Sequence, residues 1–204
     1  MKNSWTGGEA RVMETADDLA LSVHRCQSGA FEQLIDHFQG PLFNYAHGIL
    51  QNTFDAQEVV QDALLRAHKA LTKQYDEERV AALALRPWLF RTVRNLSLNK
   101  RRSRRGALDQ PLTDFDDNRL GPFIVHAADS EFARREDTEM LRATIALLPI
   151  EARELIVLRF IEEMSYAEIA KTVGTTEAAL RGKVFRALKL LREALEKKGV
   201  THAM

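Results

Sequence analysis

The chain has 204 residues, a length that suits one or two domains with modest cores. Its 29 basic and 29 acidic residues cancel, which argues against indiscriminate coating of nucleic acid, and 45% apolar with 28% charged residues is ordinary for a soluble protein. The lone Cys26 excludes an internal disulfide, and the six-residue apolar run Ile145 to Ile150 falls far short of the ~20 residues a membrane helix needs.

The opening MKNSWTGGEA has no apolar stretch behind its single Lys, so it is not read as a secretory signal. Residues 1–16 are expected to form a disordered tail, and a cytoplasmic location follows as the default. No long stretch alternates with period two, and Gly and Pro are scarce, so the expected fold class is all-α. A first helix is expected from Asp17-Asp18 to about Gln27, ended by Ser28-Gly29. Cys26 near its end reads as a small buried residue. Next, Phe31, Leu34, Ile35, Phe38, Leu42, Tyr45, Ile49 and Leu50 recur at helical spacing, with Pro41 expected to kink or split the helix. A third helix, about Asp55 to Leu71, carries Val59, Val60, Ala63, Leu64 and Ala67 on one side and Glu58, Asp62, Arg66 and Lys69 on the other. The segment Thr72 to Arg86 is mixed in character. A fourth helix starts at Pro87, a favoured first-turn residue, and runs through Trp88, Leu89, Val93 and Leu96.

The neutral total hides a sharp asymmetry. Arg91 to Arg105 holds seven Lys or Arg and no acid, and Ala107 to Ser130 holds five Asp and one Arg. With no acid inside the run to pair it, the basic run points to a polyanion, although a solvated face is the simpler alternative. Pro111, Gly121-Pro122 and scattered Asp residues break the helical pattern, so a domain boundary is expected there. The organisation that follows is two small helical domains, 17–105 and 131–198, joined by an acidic flexible linker at 106–130.

In the second domain, helices are expected over about Ser130 to Leu147 and Glu151 to Glu162. Ser165-Tyr166-Ala167-Glu168 then forms a capping box that opens a short helix. Gly174 suits the left-handed position at its end, and a long helix runs from Thr176 to about Lys197. Val184, Leu188, Leu191 and Leu195 are expected to form its buried face. This is a helix-turn-helix, and the start of its second helix can meet base edges in a major groove. The same pattern also fits a helical hairpin with a solvated basic side. Gly182 weakens that helix by about 1 kcal/mol against Ala.

The run LPIEARELIVLRFIEEMSYAEIAKTVGTTEAALRGKVFRALKLLREAL resembles region 4 of the extracytoplasmic-function class of bacterial sigma factors. Leu148-Pro149, Arg153, Leu158-Arg159, Ser165-Tyr166, Glu168-Ile169-Ala170, Gly174, Arg186-Ala187 and Leu191-Arg192 stand where that family has them. In the N-terminal half, DAQEVVQDALLRAHKAL is similar to region 2.2 and RPWLFRTVRNLSLNKRRSRR to regions 2.3 and 2.4. The resemblance covers roughly Leu19 to Leu195. The family's usual Gly-Thr-Val-Lys-Ser-Arg is replaced by Ala178-Ala179-Leu180-Arg181-Gly182-Lys183, and the segment Leu71 to Trp88 is longer than usual.

The resemblance implies a protein that binds core RNA polymerase through the β′ clamp helices and the β flap, directs it to promoter DNA and promotes melting. Contacts to the −35 element are implied for Thr176, Glu177, Ala178, Arg181, Lys183 and Arg186. Around the −10 element they are implied for Phe90, Arg91, Arg94, Asn95, Lys100, Arg101, Arg102, Arg104 and Arg105. Holding an unstacked base requires cations, planar surfaces and amide groups, all present on this helix. Asn95 matches a family position that meets the −10 element; otherwise it is an exposed helix Asn. Trp88 and Leu89 read as core or as a stacking platform. Lys100, Arg101, Arg102, Arg104 and Arg105 would neutralise phosphates. Asp55, Glu58, Asp62, Leu65 and Arg66 are implied to dock on polymerase, where charged pairs set register; their alternative is surface salt bridging. The linker acids read as a nucleic-acid mimic or as a soluble tether. Many family members are also held by an anti-sigma partner.

The nearest rival is a non-sigma helix-turn-helix transcription regulator, which would carry a sensor or receiver domain with strands in place of the helical N-terminal half. Catalysis, a metal and a cofactor are not expected: the six His lack metal-ligand spacing, and there is no P-loop, G-x-S-x-G or Gly-rich phosphate loop.

Overall fold

The computed structural model describes residues 15–107 and 133–197, and these are helical with no strand among them. All of the expected N-terminal tail except Thr15 and Ala16, which open α1, and most of the acidic segment therefore lie outside the described residues.

Helix α1 (Ala16–His24) begins earlier than the acids alone suggest, because Thr15 is its cap. The Thr15 hydroxyl accepts from the Asp18 amide at 3.2 Å, and the Asp18 carboxylate accepts from the Thr15 amide at 3.0 Å. Asp17 serves a different helix. Its carboxylate accepts from the Leu85 amide at 3.0 Å, satisfying a donor at the start of α5. Cys26, expected to be buried, is exposed at φ 51°, where the chain leaves α1. Helix α2 (Ala30–Leu50) passes through Pro41 unbroken. Helix α3 (Thr53–Lys69) is capped by Asn52 and runs into a π turn at Ala70–Gln74. The mixed segment holds a short helix, α4 (Glu77–Ala81), capped by Asp76. Helix α5 (Leu85–Ala107) carries the basic run and starts two residues ahead of Pro87, which therefore still sits in the first turn.

Beyond the undescribed segment come α6 (Ala133–Leu147), α7 (Ile150–Ile156), a π turn at Val157–Ile161, α8 (Tyr166–Val173) and α9 (Glu177–Glu196). The capping box at Ser165 and Glu168 forms as expected, and Gly174 ends α8 at φ 76°. On α9 the buried stripe is Leu180, Val184 and Ala187, with Leu191 partly covered, and Leu188 lies 39% exposed. These positions repeat at i, i+4, i+7 and i+11, one step around the helix from the expected face.

The two helical units are docked on one another. Phe38, Leu42, Tyr45, Leu89 and Phe90 from the first unit form a single apolar cluster with Leu155, Val157, Leu158, Met164 and Ile169 from the second. Helix α2 meets α7, and α5 lies along α8. Gly48 permits part of this approach, since a Cβ there would stand 3.3 Å from Val157 Cγ2. No described helix is long and apolar enough to cross a membrane.

Candidate nucleic-acid interface

The exposed end of the helix-turn-helix is built by local rules. Thr176 caps α9 by accepting from the Ala179 amide at 3.3 Å, which fixes the direction of the first turns. Thr176, Glu177, Ala178, Arg181, Lys183 and Arg186 are all exposed. Arg181 is held over the Tyr166 ring of α8, 5.1 Å from its centroid, so this cation is positioned rather than free to wander. Backbone amides, a hydroxyl and cations share this surface, the donor set that phosphates and base edges accept from.

Helix α5 presents a second cationic surface, and the residues assigned to it from sequence separate into three groups. Arg91, Asn95, Arg102 and Arg104 are exposed, and Lys100 and Arg101 are partly so. Phe90 departs from expectation: it is fully buried, its ring 5.4 Å from that of Tyr45, and has no face to offer a base. Leu89 is buried too, and Trp88 is partly covered against Tyr75. Arg94 forms the third group. Its guanidinium donates to both oxygens of Glu154, on α7, so it is engaged with the C-terminal unit. Burial opposes its charge, but Glu154 outweighs that and raises its pKa. The side chain of Arg105 lies outside the described residues.

The basic run also has acid partners, contrary to the pattern within its own helix. Lys100 pairs with Glu58 at 2.7 Å and with Asp55 at 3.6 Å, and Arg104 reaches Asp55 at 2.8 Å. The hydrogen bond with Glu58 is the main cause that raises the Lys100 pKa. Both acids stand on α3, so only the packing of α3 on α5 reveals the pairing. Asp55, expected on a docking surface, is buried at 7% exposure, whereas Glu58, Asp62, Leu65 and Arg66 are exposed. Leu65 is 59% exposed, an apolar side chain beside the charged Glu58, Asp62 and Arg66.

The residues that hold the two units together were not singled out from sequence. Tyr45, fully buried, donates its hydroxyl to Glu154. Burial, and then the Glu154 charge, push that hydroxyl well above its ordinary pKa. Asn44 reaches the Glu162 carboxylate at 3.4 Å, and Arg86 donates to the Glu162 backbone carbonyl and pairs with Glu168 at 3.7 Å. One signal was available: Arg153 and Glu154 directly precede the uninterrupted apolar run Leu155 to Leu158, and the structure buries 152–158 throughout.

Comparison with known proteins bears directly on these two surfaces. The model described as Sigma-70 region 2 matches residues 34–107, and that described as Sigma-70, region 4 matches residues 138–191. SigL of Mycobacterium tuberculosis, named an ECF RNA polymerase sigma factor, is 29% identical over 180 residues, covering 86% of this chain and 94% of that protein. The chain belongs to the extracytoplasmic-function sigma factors. SigM of Bacillus subtilis, with the same description, is 23% identical over 169 residues, 83% of this sigma factor and 96% of its own length. Among solved structures, CnrH in complex with the cytosolic domain of CnrY superposes with a TM-score of 0.62 at 26% identity, covering 90% of this chain and 99% of that one. The fold is shared as well by RpoE, solved with the anti-sigma factor NepR from Bartonella quintana, at TM-score 0.62 and 21% identity. A sigma factor binds RNA polymerase and DNA to start transcription, so α5 and α9 lie in the two matched regions of a DNA-binding protein. The rival regulator is excluded by its N-terminal half, which here is region 2.

Proposed function

We propose that this sigma factor divides its work as region 2 over 17–105 and region 4 over 131–198, with 106–130 as tether. Region 4 reads the −35 element through Thr176, Glu177, Ala178, Arg181, Lys183 and Arg186. Region 2 reads and opens the −10 element through Arg91, Arg94 and Asn95, with Lys100, Arg101, Arg102, Arg104 and Arg105 neutralising phosphates. Phe90 is left out of this set because its ring is buried. Glu58, Asp62, Leu65 and Arg66 dock on the β′ clamp helices, Asp55 supports them from beneath, and region 4 meets the β flap. The single observation that carries the reading is the exposed start of α9, capped at Thr176 and presenting Arg181, Lys183 and Arg186 to solvent.

The place of action is the cytoplasm, and the role is non-enzymatic. CnrH and RpoE were each solved with a protein bound; an anti-sigma partner is proposed for this chain by the same likeness. Run-off transcription by core polymerase on genomic fragments, with and without this protein, tests the central reading. Discrete new start sites are expected only when it is present; their absence on every fragment would reject the function.

A further inference from the structure

The contact between the two units is rich in buried charge. Tyr45 and Arg94 converge on Glu154, Asn44 and Arg86 on Glu162, and Arg153 of α7 donates to the Gly48 carbonyl of α2 at 2.9 Å. Glu154, Glu162 and Arg153 are each at most 7% exposed. These buried charges offset part of what the shared apolar cluster contributes to docking. Buried ion pairs return little net stability because both partners lose their water. On separation every one of these groups is rehydrated, which offsets the loss of the contact. Contacts between units of one chain that carry such polar groups separate more readily than wholly apolar ones.

Geometry gives a second reason for separation. Helix α8 lies directly on α5, so the two DNA-reading regions abut. Elements numbered −35 and −10 are about 25 base pairs apart, on the order of 85 Å along B-form DNA at ~3.4 Å per pair. Docked units cannot serve both at once. Fully extended, residues 108–132 can span on the order of 85 Å, so the covalent tether permits the required separation.

The occupant of Arg94 is the third observation. A carboxylate presenting two oxygens to a guanidinium fork has the geometry of a bound phosphate. Glu154 thus fills the place on Arg94 that a DNA phosphate would take.

We propose that Glu154 is a built-in phosphate mimic: by engaging Arg94 and Tyr45 it keeps the free sigma factor closed and Arg94 of its −10-reading helix masked until polymerase draws the two units apart. The masking rests on the assignment of Arg94 to DNA binding; the closure does not. Opening exposes Arg94 and frees region 4 to move in the same step, coupling the two DNA-reading surfaces through one carboxylate.

The test uses the full chain with Cys26→Ser and nitroxide labels at Glu32→Cys on α2 and Lys189→Cys on α9. Both sites are exposed and outside the proposed binding surfaces. Pulsed dipolar spectroscopy of the free protein is expected to give one narrow, short distance. Glu154→Gln removes the charge, and Gly48→Leu wedges the contact against Val157 without changing any charge. Each is expected to spread the distribution to longer distances while the circular-dichroism helix signal stays unchanged. A fluorescein-labelled single-stranded 20-mer of mixed sequence reports the masking. Gly48→Leu is expected to bind it about tenfold more tightly than the parent, and adding Arg94→Ala is expected to abolish the gain. A distance that stays short and narrow in both variants, or one already broad in the parent, overturns the proposal. So does opening with no change in 20-mer affinity. Failure of the run-off assay would instead reject the sigma reading, since the distance measurement contains neither polymerase nor promoter.

Discussion

Arg153 ties together the ends of two helices. Its Nη1 donates to the Gly48 carbonyl at 2.9 Å and its Nη2 to the Leu148 carbonyl at 2.8 Å. Gly48 lies in the last turn of α2 and Leu148 just past α6, where carbonyls have no partner within their own helix. One buried guanidinium therefore caps both. Burial, with Arg101 nearby, pushes its pKa down to about 10, which leaves it charged at neutral pH.

Replacing Arg153 by Ala strands two buried carbonyls. A loss of about 2–6 kcal/mol is expected, at ~1–3 kcal/mol for each unsatisfied group. Urea unfolding followed by circular dichroism measures it. Arg153→Lys should recover less than half, because one ammonium lacks the fork that reaches both acceptors.

Docking of the two units is expected to weaken as pH rises. Glu162 is pushed up to about 7 by burial, against the opposing pull of Asn44 and Arg86. In the open form, hydrated, it would titrate near ~4.3. An acid raised in the docked state favours docking fully below the lower value, and that contribution is lost as pH climbs through the higher one. From pH 6.5 to 8 the docking equilibrium should fall about fourfold. The charged groups at this site are Arg86 of α5 and, through it, Glu168 of α8. Across the same contact, His47 of α2 is held below its ordinary pKa by burial and then by Arg153, so it opposes docking below about 6.5. Small-angle scattering at pH 6.5 and 8 should show a larger radius of gyration at pH 8, and Glu162→Gln should remove the change in that window.

At the recognition helix, Arg181→Ala and Lys183→Ala are each expected to weaken promoter binding by the holoenzyme about tenfold. A lost phosphate contact lowers the salt slope by about one, and a lost base contact relaxes sequence choice at one position. Fluorescence anisotropy across a salt series separates the two. Tyr166→Leu should give a smaller loss, a few-fold, because it leaves the Arg181 charge in place and removes the ring that Arg181 shares with Arg159.

Two residues of α3 should behave oppositely. Leu65→Asp is expected to weaken binding to core polymerase at least tenfold with the melting temperature unchanged, since the side chain is 59% exposed. Asp55→Ala is expected to destabilise the fold by about 1–3 kcal/mol, because it leaves Lys100 and Arg104 without their shared partner. Surface plasmon resonance with immobilised core polymerase and a thermal melt of each variant decide this.

Much of this protein is decided locally, and that much its sequence determined by itself. Helical spacing placed the cores of α2 and α3, the Ser165–Glu168 capping box and Gly174 placed the turn before α9, and the two motif blocks carried the family. Each of these depends on residues within a few positions of one another, so its physics is written in adjacent letters. Pairings over long separations carry no such mark. Arg94 and Glu154 are 60 positions apart, Tyr45 and Glu154 are 109 apart, and Lys100 finds its acids on another helix. Only the docking of α7 and α8 on α2 and α5, and of α3 on α5, decided which cations stay exposed, why Phe90 is core, and that a carboxylate occupies Arg94. The burial that makes those contacts consequential exists only once the helices have packed.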